Sequence, residues 1–117
     1  MAMPATIDHT VTPQQTTVYM GVADWWGRHV WLERGGKRSS LPYRGDDPLA
    51  TFAWGRRGIC ARELSRSILY DATGSVALAD LLCREFTHDV VAELPDVGFE
   101  LDRQQVLAWL SERRAAA

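Results

Sequence analysis

The sequence predicts an α+β domain: a small antiparallel β-sheet of three to four strands, followed by two to three packed helices. Three observations lead there. Residues 17–41 show period-two alternation and are punctuated by glycine turns. From residue 59 onward, apolar residues recur at intervals of three and four. The strand-like stretches precede the helical ones instead of alternating with them, which is the order of a sheet covered on one face by helices.

Residues 1–15 hold Pro4, Pro13, Gln14, Gln15 and several threonines without an apolar period, so they are expected to be a disordered tail ahead of a single domain over 16–117. Val18, Met20 and Val22 alternate with Tyr19 and Gly21 to form the first strand, and Asp24-Trp25-Trp26-Gly27 reverses the chain. His29-Val30-Trp31-Leu32-Glu33 is rich in strand formers. Arg34-Gly35-Gly36-Lys37 fits a two-residue hairpin, because a type I′ turn needs positive φ at both central positions. That register sets Glu33 opposite Arg38 and Val30 opposite Leu41, an ionic and an apolar pair. Pro42 ends the strand, residues 42–51 read as loop, and Thr51–Trp54 fits either a short fourth strand or an extended approach to a helix.

After the turn Gly55-Arg56-Arg57-Gly58, the spacing of Ala61, Leu64, Ser65, Ile68 and Leu69 predicts a helix over 59–72. Thr73-Gly74-Ser75 breaks and restarts the chain. Leu78, Leu82, Phe86, Val90 and Leu94 then predict a helix over 76–94, stopped by Pro95 and Gly98. Phe99-Glu100-Leu101 suits a short strand. Asp102 with Gln105 resembles a capping box ahead of a last helix over 103–113, which buries Val106, Leu107, Trp109 and Leu110. The helices are expected to pack on Val18, Met20, Val30 and Leu32.

With 117 residues the chain has room for one core and not two. Its apolar runs are far shorter than the ~18 residues of a membrane span, and Met1-Ala2-Met3-Pro4-Ala5 has neither the basic start nor the apolar run of a signal peptide. A cytoplasmic protein without a membrane partner is the expectation. Cys60 and Cys83 fall on different predicted helices and form neither a disulfide scaffold nor a zinc ligand set, so no metal or cofactor is expected.

Charge is unevenly placed. Residues 26–66 carry nine basic and four acidic residues, whereas residues 67–117 carry nine acidic and four basic ones. All but one of the bases are arginine, whose planar fork suits carboxylate and phosphate. Either the basic middle pairs with the acidic end across the fold, or the surface is two-faced and its basic side meets an acidic partner. A homodimer pairing the two segments between subunits is a further option.

The candidate partner-binding residues come from two motifs. Arg56 and Arg57 lie in a turn at a helix start, with Arg62 and Arg66 one turn apart beyond it. Such a start exposes unpaired N–H groups that favour an anion, although the spacing and Lys-Ser/Thr ending of a P-loop are absent. Solvated arginines, an acidic protein partner and a nucleic-acid backbone are the alternatives. Trp25 and Trp26 are neighbours in a turn, so both are not easily buried together, and Trp and Arg dominate binding hot spots. Arg28 could stack on either ring. No catalytic residue is assigned: His29, and His88 beside Asp89, lack a nucleophile elbow or other local signature, and neighbours on a helix face different directions.

From residue 17 to about 110, the chain resembles a domain-of-unknown-function family of short proteins found in bacteria, archaea and their phages. The resemblance is carried by Val18-Tyr19-Met20-Gly21-Val22, by Phe52-Ala53-Trp54-Gly55 before an Ala/Leu-rich helix, and by Phe86 to Pro95. Gly98-Phe99-Glu100-Leu101 and the closing Ala108-Trp109-Leu110 complete it. The chain departs from the family at Gly55-Arg56-Arg57-Gly58-Ile59-Cys60, where a glycine-rich turn is usual. The resemblance implies a link to mobile elements and supplies no reaction. The expected function is therefore a non-catalytic interaction module. One form would be a phage-encoded inhibitor that occludes a surface of a nucleic-acid-guided defence complex and binds an acidic protein surface. A nucleic-acid-binding accessory protein is the alternative, which the sequence pI near 5.9 disfavours. A small enzyme built around His29 or His88 is the third class.

Overall fold

A computed structural model describes residues 16–45, 47 and 51–116. The expected tail over 1–15, and part of the loop over 42–51, lie outside the described residues. Four strands, β1 (Thr17–Asp24), β2 (Gly27–Arg34), β3 (Lys37–Ser40) and β4 (Gly98–Asp102), form an antiparallel sheet in the order β3-β2-β1-β4. Helices α1 (Ile59–Thr73) and α2 (Val76–Asp89) intervene before β4, and α3 (Arg103–Ala116) follows it. The fold is α+β: three strands come first, two helices follow, and β4 returns to the sheet edge before the last helix. Among the described residues no helix is long and apolar enough to cross a membrane.

Local signals set most boundaries. Gly35 and Gly36 take φ of 59° and 81°, and the β2–β3 register pairs Glu33 with Arg38. The amide of Leu41 donates to the Val30 carbonyl at 3.2 Å, in the same register. Gly74 ends α1 in the left-handed conformation, its N–H donating to the Tyr70 carbonyl, and Ser75 Oγ caps α2 by accepting from the Leu78 amide at 3.1 Å. The Asp102–Gln105 box is formed: Gln105 Oε1 accepts from the Asp102 amide at 2.8 Å, and Asp102 Oδ1 accepts from the Gln104 amide at 2.7 Å.

Two expectations need correction. Val18 and Met20 do not face the helices; Thr17, Tyr19 and Gly21 do, opposite Leu32, Val30, Phe99 and Leu101. The reason is shape and hydrogen bonding. A Cβ on Gly21 would lie 2.2 Å from the Phe99 ring, so the glycine leaves room for an aromatic ring to cross the strand. Beside it Tyr19 is fully buried because its hydroxyl finds a partner, donating to Asp71 Oδ2 on α1 at 2.7 Å. Val18, Met20, His29 and Trp31 take the opposite face, where the His29 and Trp31 rings stack 5.8 Å apart. Secondly, the second helix ends at Asp89 and not Leu94. The chain leaves helical geometry at Val90, and Val91–Glu93 form a single 3₁₀ turn. There the Val91 carbonyl accepts from the Gly55 amide at 2.9 Å, a long-range bond that replaces continuation of the helix. The segment Thr51–Trp54 is extended and pairs with no strand; the fourth strand is β4.

The helices bury Leu64, Ile68 and Leu69 of α1, Phe86 of α2 and Val106 of α3 against this sheet face. Between α1 and α2, the hydroxyls of Ser65 and Thr87 meet at 2.6 Å inside the core, where one donates to the other, and each lies within hydrogen-bond distance of the carbonyl four residues earlier. The guanidinium of Arg103 donates to the Ala72 carbonyl from Nε and Nη2, satisfying an orphan at the end of α1.

Burial, together with the hydrogen bond to Asp71 and its charge, pushes the Tyr19 hydroxyl far above the usual tyrosine range. In the unfolded chain it ionises near pH ~10, while the folded protein keeps the proton. This stability is present below about pH 10 and falls, as pH rises further, by about 1.4 kcal/mol per pH unit. Tyr19→Phe should cost about 1 kcal/mol near neutrality and lose stability less steeply above about pH 10. Urea denaturation followed by circular dichroism at several alkaline pH values measures both.

Candidate functional site

The first feature is the tip of the β1–β2 hairpin. Asp24 pairs with Gly27, leaving Trp25 and Trp26 as a two-residue turn. Asp24 Oδ1 accepts from the Trp26 amide at 2.8 Å and lies 3.3 Å from His29 Nε2, so the short acidic side chain shapes the turn. Neither indole packs: Trp25 is 92% and Trp26 84% exposed. Val22 is exposed beside them on β1. Val97, 78% exposed, is tied to the same end of the sheet by the Ala23 amide, which donates to its carbonyl at 3.1 Å. The other tryptophans are engaged: Trp31 by His29 and Arg38, Trp54 in the core, and Trp109 edge-on to Phe86.

The second feature is the turn into α1. Gly55 has φ of 78°, a conformation that favours glycine, and a Cβ there would crowd the Leu94 carbonyl at 3.2 Å. Arg56 and Arg57 are exposed, and Arg62 is half-buried. Beyond the turn, a groove of about 540 Å3 runs between the start of α1 and the C-terminal half of α2, lined among others by Arg57, Ile59, Arg62, Arg84, Thr87 and His88.

Trp54 connects the two features. Its ring is fully buried, edge-on to Phe99 with centroids 5.0 Å apart, and its Nε1 donates to the Pro95 carbonyl at 3.0 Å. The Arg28 guanidinium lies 4.6 Å above the ring and bonds Asp96 Oδ1 at 2.7 Å and the Trp54 carbonyl at 3.4 Å. Arg28 therefore stacks on Trp54, not on Trp25 or Trp26. Its hydrogen bond and charge, with help from Arg56, hold the Asp96 carboxyl below the usual range.

The structure divides the five residues singled out by sequence. Trp25 and Trp26 form the tip, Arg57 and Arg62 line the groove, and Arg56 is exposed in the turn before α1. Arg84 and Val97 are not among the residues singled out by sequence, and His88 is singled out only as an acid–base candidate. Arg84 and His88 are four apart on α2 and share a helix face, a spacing visible in sequence; their position across from Arg57 and Arg62 is not.

The basic middle pairs with the acidic end across the fold in part. Arg28, Arg34 and Arg66 of the basic middle pair with Asp96, Asp71 and Asp80 of the acidic end. The side chains of Arg57, Arg62 and Arg84 make no hydrogen bond or ion pair among the described residues. His88 Nδ1 lies 3.0 Å from Asp89 Oδ1, so these two neighbours at the end of α2 do meet. The other Asp89 oxygen accepts from Trp109 Nε1 at 2.9 Å and from Arg113. Led by the contact with His88 and the bond from Trp109, these partners hold its carboxyl below the usual range. The group ties α2 to α3. Among the described residues no cluster of three or more His, Cys, Asp or Glu is placed to hold a metal, and Cys60 and Cys83 are free thiols.

Fold and surface together define a small four-stranded α+β protein with an unpacked indole tip and a cationic groove. Over residues 19–112 the chain matches a family of unknown function, DUF6166, and belongs to it. No curated protein and no solved structure matches the chain. The segments that carried the resemblance converge in space: Trp54-Gly55 docks on Val91 to Asp96 and on Phe99, and Phe86 packs on Trp109. They build the fold.

Trp54→Ala should therefore cost about 3–5 kcal/mol, with the cooperative unfolding transition lost or displaced in circular dichroism. Trp25→Ala should change stability by less than about 0.5 kcal/mol in the same assay.

Proposed function

We propose that the chain is a non-catalytic interaction module that binds another protein through the hairpin tip and acts by occluding the surface it covers. The observation that carries this reading is the pair of adjacent indoles held out of the core by a two-residue turn that Asp24 braces. Each tryptophan side chain brings about 200 Å2 of largely apolar surface, and removing both from water is worth up to about 10 kcal/mol before the costs of association. Val22 and Val97 add exposed apolar surface at the same end of the sheet, and tryptophan is among the residues that dominate interface hot spots. A phosphate backbone is less well suited. The formal net charge is −2, and the basic stretch is interrupted by Asp80 and Glu85. On the expectation of a phage or mobile-element origin, the first partner to test is a nucleic-acid-guided defence complex of the host.

The double variant Trp25→Ala/Trp26→Ala keeps the unfolding midpoint of the wild type and loses partner capture. In parallel pull-downs from host lysate, at matched salt, the protein retained by the wild type should fall about tenfold or more with the variant. Equal retention of every captured protein by the two forms overturns the reading. A wild type that is dimeric by light scattering, with a monomeric variant, assigns the tip to self-association instead.

A further inference from the structure

The arginines of this chain are sorted. Arg28, Arg34, Arg38, Arg66 and Arg113 each lie against a carboxylate, and Arg44 lies 4.7 Å above the Tyr70 ring. Arg57, Arg62 and Arg84 have no such partner among the described residues, yet they line one groove of about 540 Å3 together with His88. A carboxylate stands beside Arg84 in sequence, but Glu85 turns to Arg113 at 3.6 Å. Three guanidinium groups around one concavity repel one another, and an anion seated among them relieves that repulsion. The first turn of α1 opens on the same groove and has no side-chain cap for its N–H groups. Ile59, half-exposed, and Thr87 supply an apolar edge for the stem of a side chain.

We infer that this groove binds a short acidic peptide segment, two or three Asp or Glu side chains long. The inference rests on the reading of the chain as a protein-binding module and names the chemistry of a second contact. Arginine forks bind carboxylates in a bidentate manner, and the volume lies within the range of peptide and small-ligand sites. The extent of the positive patch selects the ligand. Past Arg84 the depression continues between Arg62, Arg66, Asp80 and Glu85, and Asp89 flanks His88 at the other end. A phosphodiester strand, charged at every nucleotide, would run onto these carboxylates. A segment with a few clustered acids ends before reaching them.

The test is titration of the 15N-labelled protein at low salt with three probes: a short capped peptide of alternating Asp and Glu, inorganic phosphate, and a short single-stranded oligonucleotide. The expected result is saturable binding of the peptide, with shifted amides at Ile59–Arg62 and Arg84–His88. The dissociation constant should rise about tenfold or more in Arg62→Glu/Arg84→Glu, with a smaller rise in the turn variant Arg57→Gln, which serves if the double variant is unfolded by circular dichroism. Tighter binding of the oligonucleotide at the same residues makes the groove a nucleic-acid interface and overturns the inference. Displacement of the peptide by phosphate at equal concentration does so in favour of a small-anion site, and absence of saturable binding by any probe leaves only solvated arginines. Trp25→Ala/Trp26→Ala should leave peptide affinity unchanged, so failure here and failure of the indole tip are separate results.

Discussion

The structure turns on the burial of Trp54. One indole, dropped into the corner between sheet and helices, is held from three directions: by the Phe99 edge, by the Pro95 carbonyl and by the Arg28 guanidinium above its face. Those contacts come from β4, from the segment before it and from β2, elements far apart in sequence. Because Trp54 is fixed, the Gly55 amide reaches the Val91 carbonyl, the second helix stops at Asp89, and the turn carrying Arg56 and Arg57 projects from a defined point. A buried aromatic residue with a polar edge suits this role. The ring contributes a large apolar area, and its single N–H finds a partner, so nothing polar is left stranded.

The same economy of partners separates structural from available groups. Tyr19, Asp71 and Arg34 form a closed set, as do Arg28 and Asp96, and Asp89 with His88, Trp109 and Arg113. Each joins elements that the chain alone would not bring together. Against that background two groups are conspicuous for lacking internal partners among the described residues: the indoles of the hairpin turn, and the guanidiniums around the groove. They differ in kind. The indoles offer apolar area that any complementary surface can cover, whereas the groove selects by charge. A module holding both would gain affinity from the first and discrimination from the second.

Membership of a family of unknown function fits this division. The segments that carry the resemblance are those that pack on Trp54 and Phe86, and so describe a shared scaffold. The turn Arg56-Arg57 is at the surface. Scaffold residues answer to many neighbours at once and exposed turns to few, so differences gather in turns.

What the sequence determined by itself was whatever depends on backbone geometry within a few residues. The Gly35-Gly36 turn and its register, the caps at Ser75 and Asp102, and the reversal at Asp24–Gly27, which does not easily bury both tryptophans, are all of this kind. The tertiary structure decided which face of β1 is buried. Alternation marks two faces equally, and only the hydroxyl partner of Tyr19 and the crossing of Phe99 over Gly21 break the tie. It also decided where α2 ends, through a bond to an amide more than thirty residues earlier in the chain. And it brought Arg84 and His88 across from Arg57 and Arg62, while turning Arg28, Arg34 and Arg66 inward to carboxylates. Charge acts through space without regard to sequence separation, so which arginines are neutralised and which stay available is settled only when the chain has folded.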